Sequence, residues 1–232
     1  MRDEQLRPVA YLALGDSLTE GIGAESPDRH FVVRLFRKLR HSDDCRFRNW
    51  GVSGMTSAEL LHFVENPAIL RMLPKMTHIS LTTGGCDFIR LYEAGTLTLR
   101  DVVKTAREIQ QRLCRILSLI RGANPTVSIY LLGFYLPPPA YELGFQKAAM
   151  AVKMMNRMYT RICERYGVTF INPFYRFLNR HEWFCDEVHP NQRGHDEISE
   201  LFLSGANVQE TWEGTREHTA GSTPVPSVNL SG

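Results

Sequence analysis

Tyr11-Leu-Ala-Leu-Gly-Asp-Ser-Leu-Thr-Glu-Gly21 is the stretch from which the rest of the chain can be read. It begins as a short apolar run, breaks at Gly15, and passes at once to Asp16 and Ser17. An apolar run ending in glycine predicts a buried strand. A serine just beyond it projects from the carboxyl edge of a sheet, where open α/β folds bind their ligands. Ser17 is therefore the candidate nucleophile, although an isolated serine there also reads as a helix cap.

Outward from this stretch, apolar residues at 31, 32, 35, 36 and 39 predict a helix over 31–40, with basic residues in its last turn. Strands are expected at 45–50, 77–83, 126–132 and 168–171, each ending at or near a polar turn. Helices are expected from near Ala58, capped by Thr56 or Ser57, over 101–121 ending at Gly122, over 144–166 closed by Gly167, and from Gln192 to about Leu203. Strand and helix alternate through five cycles, which predicts a parallel sheet covered on both faces. With right-handed crossovers, the expected fold is a flavodoxin-like three-layer α/β/α sandwich with five parallel strands in the order 2-1-3-4-5. Residues 1–204 are expected to form one catalytic domain. The Gly/Ser/Thr/Pro-rich segment 205–232 is expected to be disordered, and its Asn229-Leu-Ser231 sequon to be a chance match.

Composition narrows the function. The 232 residues are 43% hydrophobic, enough for a sizeable core. A net charge of +2 gives no reason to expect nucleic acid or an acidic membrane surface as a partner. No secretory signal and no membrane span are recognisable. The five cysteines are scattered, with no C-x-x-C pair, so neither a zinc knuckle nor a disulfide scaffold is expected. A reduced, cytoplasmic protein is the expectation. The oligomeric state is not legible.

Four segments should share one rim of the sheet: Gly15-Asp-Ser17, Gly51, Gly84-Gly-Cys-Asp87 and Asp186-Glu-Val-His-Pro-Asn191. Each alone admits a plainer reading: His189 as a structural histidine, Asp186 as a turn former, Gly51 as a site of positive φ. Together they are more specific. Asp-x-x-His lets one turn of chain bring a carboxylate to imidazole Nδ1, leaving Nε2 free to take a proton from a serine. Asp16 and Asp87 are expected to hold the serine loop. His195 is expected to be structural. His181, Asp186, His189 and His195 match no compact metal motif, so no metal is expected. Gly21-Ile-Gly23 is not a dinucleotide fingerprint.

On these residues the chain resembles the GDSL, or SGNH, hydrolases, a family of esterases and lipases. Gly15-Asp-Ser-Leu18 matches the first block, Asn49-Trp-Gly-Val-Ser-Gly54 resembles the second, and Asp186-Glu-Val-His189 matches the last. The resemblance covers about residues 9–204. It implies a serine ester hydrolase without cofactor, with Ser17 as nucleophile, His189 as base and Asp186 orienting it. It also implies an oxyanion hole from the amides of Ser17 and Gly51. One block departs from the pattern: Gly84-Gly-Cys-Asp87 places Cys86 where the family has an asparagine donor, and a thiol donates weakly. The implied substrate is a small-molecule ester or lipid, as for a lipase, lysophospholipase or thioesterase. A carbohydrate deacetylase, or a catalytically weak lipid- or glycan-binding module, stays open. The loop Phe134-Tyr-Leu-Pro-Pro-Pro-Ala-Tyr141 is expected to run extended, with Tyr135 and Tyr141 either lining a substrate pocket opposite Phe88 and Tyr92 or simply packing under the loop.

Overall fold

The computed structural model describes residues 7–95, 98–142 and 144–219. The strands are β1 (Ala10–Gly15), β2 (Arg46–Gly51), β3 (His78–Leu81), β4 (Ser128–Leu132) and β5 (Thr169–Ile171). They form one sheet in the order β2-β1-β3-β4-β5, and every pairing is parallel. Between them run α1 (Ser17–Glu20), α2 (Phe31–Leu39), α3 (Ser57–Glu65), α4 (Pro67–Leu70), α5 (Gly85–Glu93), α6 (Leu99–Ala123), α7 (Pro138–Glu142), α8 (Phe145–Tyr166), α9 (Phe174–Phe177) and α10 (Gln192–Thr219).

The sheet's period of two divides the core. Leu12, Leu14, Ile79, Leu81, Ile129 and Leu131 point to one face and pack beneath α3, α6 and α8. Tyr11, Ala13, Tyr130 and Leu132 point to the other and meet Phe31, Val32 and Leu35 of α2 and Ile198 and Phe202 of α10. On this second face Tyr11 and Ser80 share a buried hydrogen bond of 2.6 Å, which satisfies both hydroxyls. The result is the expected three-layer sandwich, with the carboxyl ends of all strands on one rim.

Several local expectations are corrected. The prolines do not run extended: Pro138 and Pro139 open α7. A proline in a first turn lacks only an N–H that would have had no helical partner. α6 continues past Gly122 to Ala123 and is capped by Asn124, whose side-chain amide donates to Leu73 O and Met76 O. α10 runs to Thr219 rather than to Leu203. Of the tail expected to be disordered, residues 220–232, with the sequon, lie outside the described residues.

Candidate active site

The β1–α1 turn is built to hold Ser17. At Gly15 φ is 152°, and a side chain would bring Cβ within 2.1 Å of Thr82 Oγ1 and 2.4 Å of Thr82 O. Only glycine lets the strand end so close to β3. Asp16 caps α1: its carboxylate accepts from Leu18 N at 3.1 Å and from Thr82 Oγ1 at 2.8 Å. Thr82 Oγ1 is also 2.7 Å from Thr19 Oγ1 and accepts from Asp16 N at 3.2 Å. Burial pushes the Asp16 carboxyl up, against the pull of Thr82 and the Leu18 amide. Asp16 thus holds the serine loop, as expected. Asp87 does not: its carboxylate accepts from Ser57 N and Oγ and from Arg112, tying α5 to α3 and α6.

From the far end of the chain, His189 reaches this turn. Its Nε2 lies 2.8 Å from Ser17 Oγ, and its Nδ1 lies 2.6 Å from Asp186 Oδ2. A carboxylate can only accept, so Nδ1 carries the proton and Nε2 accepts from the serine hydroxyl. The other Asp186 oxygen accepts from the amides of Val188 and His189 at 2.8 and 2.7 Å. Desolvation disfavours the Asp186 carboxylate, yet these amides and the imidazole outweigh it and hold its carboxyl below the usual range. The Asp186 side chain is 49% exposed and that of His189 20%.

The loop is pinned from three sides. Phe184 and Pro190 form an isolated antiparallel bridge, and Cys185 N donates to His189 O at 3.0 Å. Tyr135 Oη donates to Val188 O at 2.7 Å. His195 Nε2 lies 2.9 Å from Ile22 O, joining α10 to the loop after α1. His195 is therefore structural, and among the described residues no group of acidic, histidine and cysteine side chains is placed to hold a metal.

The expected oxyanion donors divide. Among the described residues Ser17 N–H, at the first position of α1, has no partner. Gly51 N–H is occupied, donating to Asn49 Oδ1 at 2.9 Å. Glycine is needed at 51 for closeness, not for positive φ: a Cβ there would lie 2.0 Å from Glu20 N. Asn49 completes the clasp by donating to Thr19 O at 2.8 Å. The next glycine along, Gly54, has a φ of 77°, open space around it and an N–H without a partner among the described residues. Cys86 is buried in the first turn of α5. Burial, with the charges of Asp16 and Asp87, pushes its thiol up to about 12. A sulfur that stays protonated is no nucleophile.

Beside the serine a cavity of about 340 Å³ opens between α5, α6, α8 and the loop after β4. Asp16 and Leu18 flank it on the serine side, and Glu187 and Val188 on the histidine side. Phe88, Tyr92, Val102, Phe134, Val152 and Met155 make much of its wall apolar. Tyr135 lines it too, but its hydroxyl is committed to Val188. Tyr141 does not line it. It packs on Phe145 and His181 instead, and its hydroxyl accepts from Asn179 N.

Comparison with known proteins points the same way. The model of the GDSL-like lipase/acylhydrolase family matches residues 13–197. The spore germination lipase LipC of Bacillus licheniformis is 28% identical over 202 residues, 83% of this chain and 93% of that protein. Among solved structures, the lipase Lip_vut3 from a goat rumen metagenome superposes with a TM-score of 0.75 at 26% identity, over 85% of this chain and 97% of its own. Phospholipase A1 from Streptomyces albidoflavus NA297 superposes with a TM-score of 0.69 at 17% identity, over 86% and 100%, and shares the fold.

Proposed function

The chain belongs to the GDSL-like lipase/acylhydrolase family, and on that premise we propose that it cleaves acyl esters through Ser17, His189 and Asp186. It is a carboxylic ester hydrolase. The observation that carries the residue assignment is the unbroken line of hydrogen bonds from Ser17 Oγ through the His189 ring to Asp186.

In this reading Ser17 Oγ attacks the ester carbonyl carbon while His189 Nε2 takes its proton. The imidazolium is stabilised by Asp186, which keeps its own negative charge. Collapse of the tetrahedral intermediate breaks the bond to the alcohol oxygen, to which His189 returns the proton. Water then enters by the same route in reverse roles: His189 deprotonates it, it attacks the acyl-serine, and Ser17 leaves with the proton. The Ser17 amide meets the oxyanion, and the Gly54 amide takes the place expected of Gly51, whose N–H is already bound. A buried thiol at 86 adds little.

The cavity supports an aliphatic acyl group over acetyl. At about 340 Å³ it is at the lower end of ligand pockets, far larger than a methyl needs, and its wall is largely apolar. Each further methylene buried is worth roughly 0.8 kcal/mol, about fourfold in kcat/KM until the cavity is full.

Reaction with a fluorophosphonate tests the chemistry. Labelling of the wild type and none of Ser17→Ala is expected; an unlabelled, well-folded wild type would turn the reading toward a binding module. A chain-length series of p-nitrophenyl esters tests the pocket, and a flat or acetyl-only profile would remove the acyl preference.

A further inference from the structure

A second concavity, about 550 Å³, lies between α6 and α8. Its lining includes the apolar side chains of Met154 and Met158, and its rim carries Arg107 from α6 and Arg157, Arg161 and Arg165 from α8. The three on α8 are spaced four apart and so share one helix face. All four are exposed. Arg48, Arg71 and Arg100 are likewise exposed and without a carboxylate among the described residues, but Arg34, Arg90, Arg112, Arg176 and Arg193 each meet one. None of the four rim guanidiniums does so among the described residues, and Arg165 only overlies the Tyr166 ring at 5.5 Å. Glu108, beside Arg107 in sequence, is bound to Arg112 and Lys104. Glu164 is the one acid between Arg157 and Arg165.

The same face of α8 continues to Met150 and Met154, which are 72% and 47% exposed. Met154 and Met155 line the basic groove and the acyl cavity alike, so the two concavities are separated by little more than these side chains.

We propose that this face docks on an anionic phospholipid surface. Headgroup phosphates would lie between the four guanidiniums, with Met150 and Met154 at the acyl boundary beside the cavity. Unpaired arginines attract anionic headgroups at about fivefold in partition each. Exposed apolar side chains next to them add burial that a free phosphate would not supply. Two copies would repel each other across such a face. The groove lining has no aromatic ring on which a nucleic acid base could stack. What the surface supplies rests on the acyl-ester reading above; the docking itself does not.

The test uses Ser17→Ala protein, so that lipid is not consumed, sedimented with vesicles. Binding is expected to vesicles of phosphatidylcholine mixed with phosphatidylglycerol, not to phosphatidylcholine alone, and to weaken as salt rises. Adding Arg157→Gln and Arg161→Gln should weaken that partition roughly 30-fold. In the enzyme with Ser17 intact, the same pair should leave the melting temperature and hydrolysis of a soluble short-chain p-nitrophenyl ester unchanged. Absence of binding to the anionic vesicles, or equal binding by the variant, overturns the proposal. Capture of polyglutamate without vesicle association also overturns it, in favour of an acidic protein. Vesicle binding by a wild type that hydrolyses no ester would leave the docking standing and remove the acyl-ester reading.

Discussion

Cys86 stands where the resemblance leads one to expect an asparagine donor, and its surroundings bear on what the thiol can do. Burial and the flanking Asp16 and Asp87 push the thiol up to about 12, so it stays protonated and offers only a weak donor. Cys86→Asn is expected to raise kcat on a p-nitrophenyl ester, by up to the roughly 10²-fold that one oxyanion donor is worth elsewhere. A lower rate would mean that the turn is shaped around sulfur. Tyr135 lines the cavity, and since its hydroxyl also holds the carbonyl just before His189 we propose that it acts as a positioning residue. Tyr135→Phe should lower kcat roughly fivefold, the worth of one ordinary hydrogen bond, and leave KM in place. A rise in KM alone would restore the substrate-binding role. Ser17, Asp186 and His189 were legible from residue type and spacing. Thr82 and Asn49, which hold the serine turn and the Gly51 amide, were not, since a lone threonine or asparagine carries no signal until a distant strand is laid beside it.

Among elements, the long amphipathic helices and buried strands were the most legible, because their periodicity is repeated many times. Short pieces were decided by neighbours. The three prolines read as extended chain, but Pro138 and Pro139 open α7; Gly51, expected as an oxyanion donor with positive φ as its plainer reading, is a point of close approach to α1. The start of α3 has a testable charge. Its capping box joins the Thr56 hydroxyl to Glu59 N and the Glu59 carboxylate to Thr56 N, and Arg90 meets the same carboxylate. The Thr56 amide and hydroxyl, with Arg90, lower the Glu59 carboxyl to about 2 from its usual value near 4.5. The group is depressed in the folded state. Its contribution is therefore complete above about 4.5 and disappears as pH falls through about 2. The melting temperature of wild type should exceed that of Glu59→Gln at neutral pH, with the gap closing across that acid window. The carboxylate is half exposed, so the gap will be small. A gap that persists at the acid end would assign the effect to packing.

At the scale of the molecule, the cavity beside Ser17 is assembled from α5, α6, α8 and the loop after β4, none of which touches the nucleophile in sequence. Val152, on its wall, is the place to narrow it. Val152→Phe is expected to depress hydrolysis of longer acyl esters at least tenfold while sparing the acetyl ester. Uniform loss across the series would place the acyl chain elsewhere. Charge is redistributed at this scale too. A net charge of +2 gave no reason to expect an acidic membrane surface, yet four arginines without a carboxylate among the described residues line one groove. Net charge is a sum, and docking depends on where the charges stand.

The three layers followed from local periodicity, the strand order was selected from the few that right-handed crossovers allow, and the pairing of an early serine with a late histidine followed from separate motifs and the family they resemble. The occupied Gly51 amide, the hold of Tyr135 on the histidine loop, the depth of the cavity and the basic groove beside it were decided by tertiary structure alone. Each depends on a distance between residues far apart in the chain, and the sequence order carries no record of that separation until crossovers bring the segments to one rim.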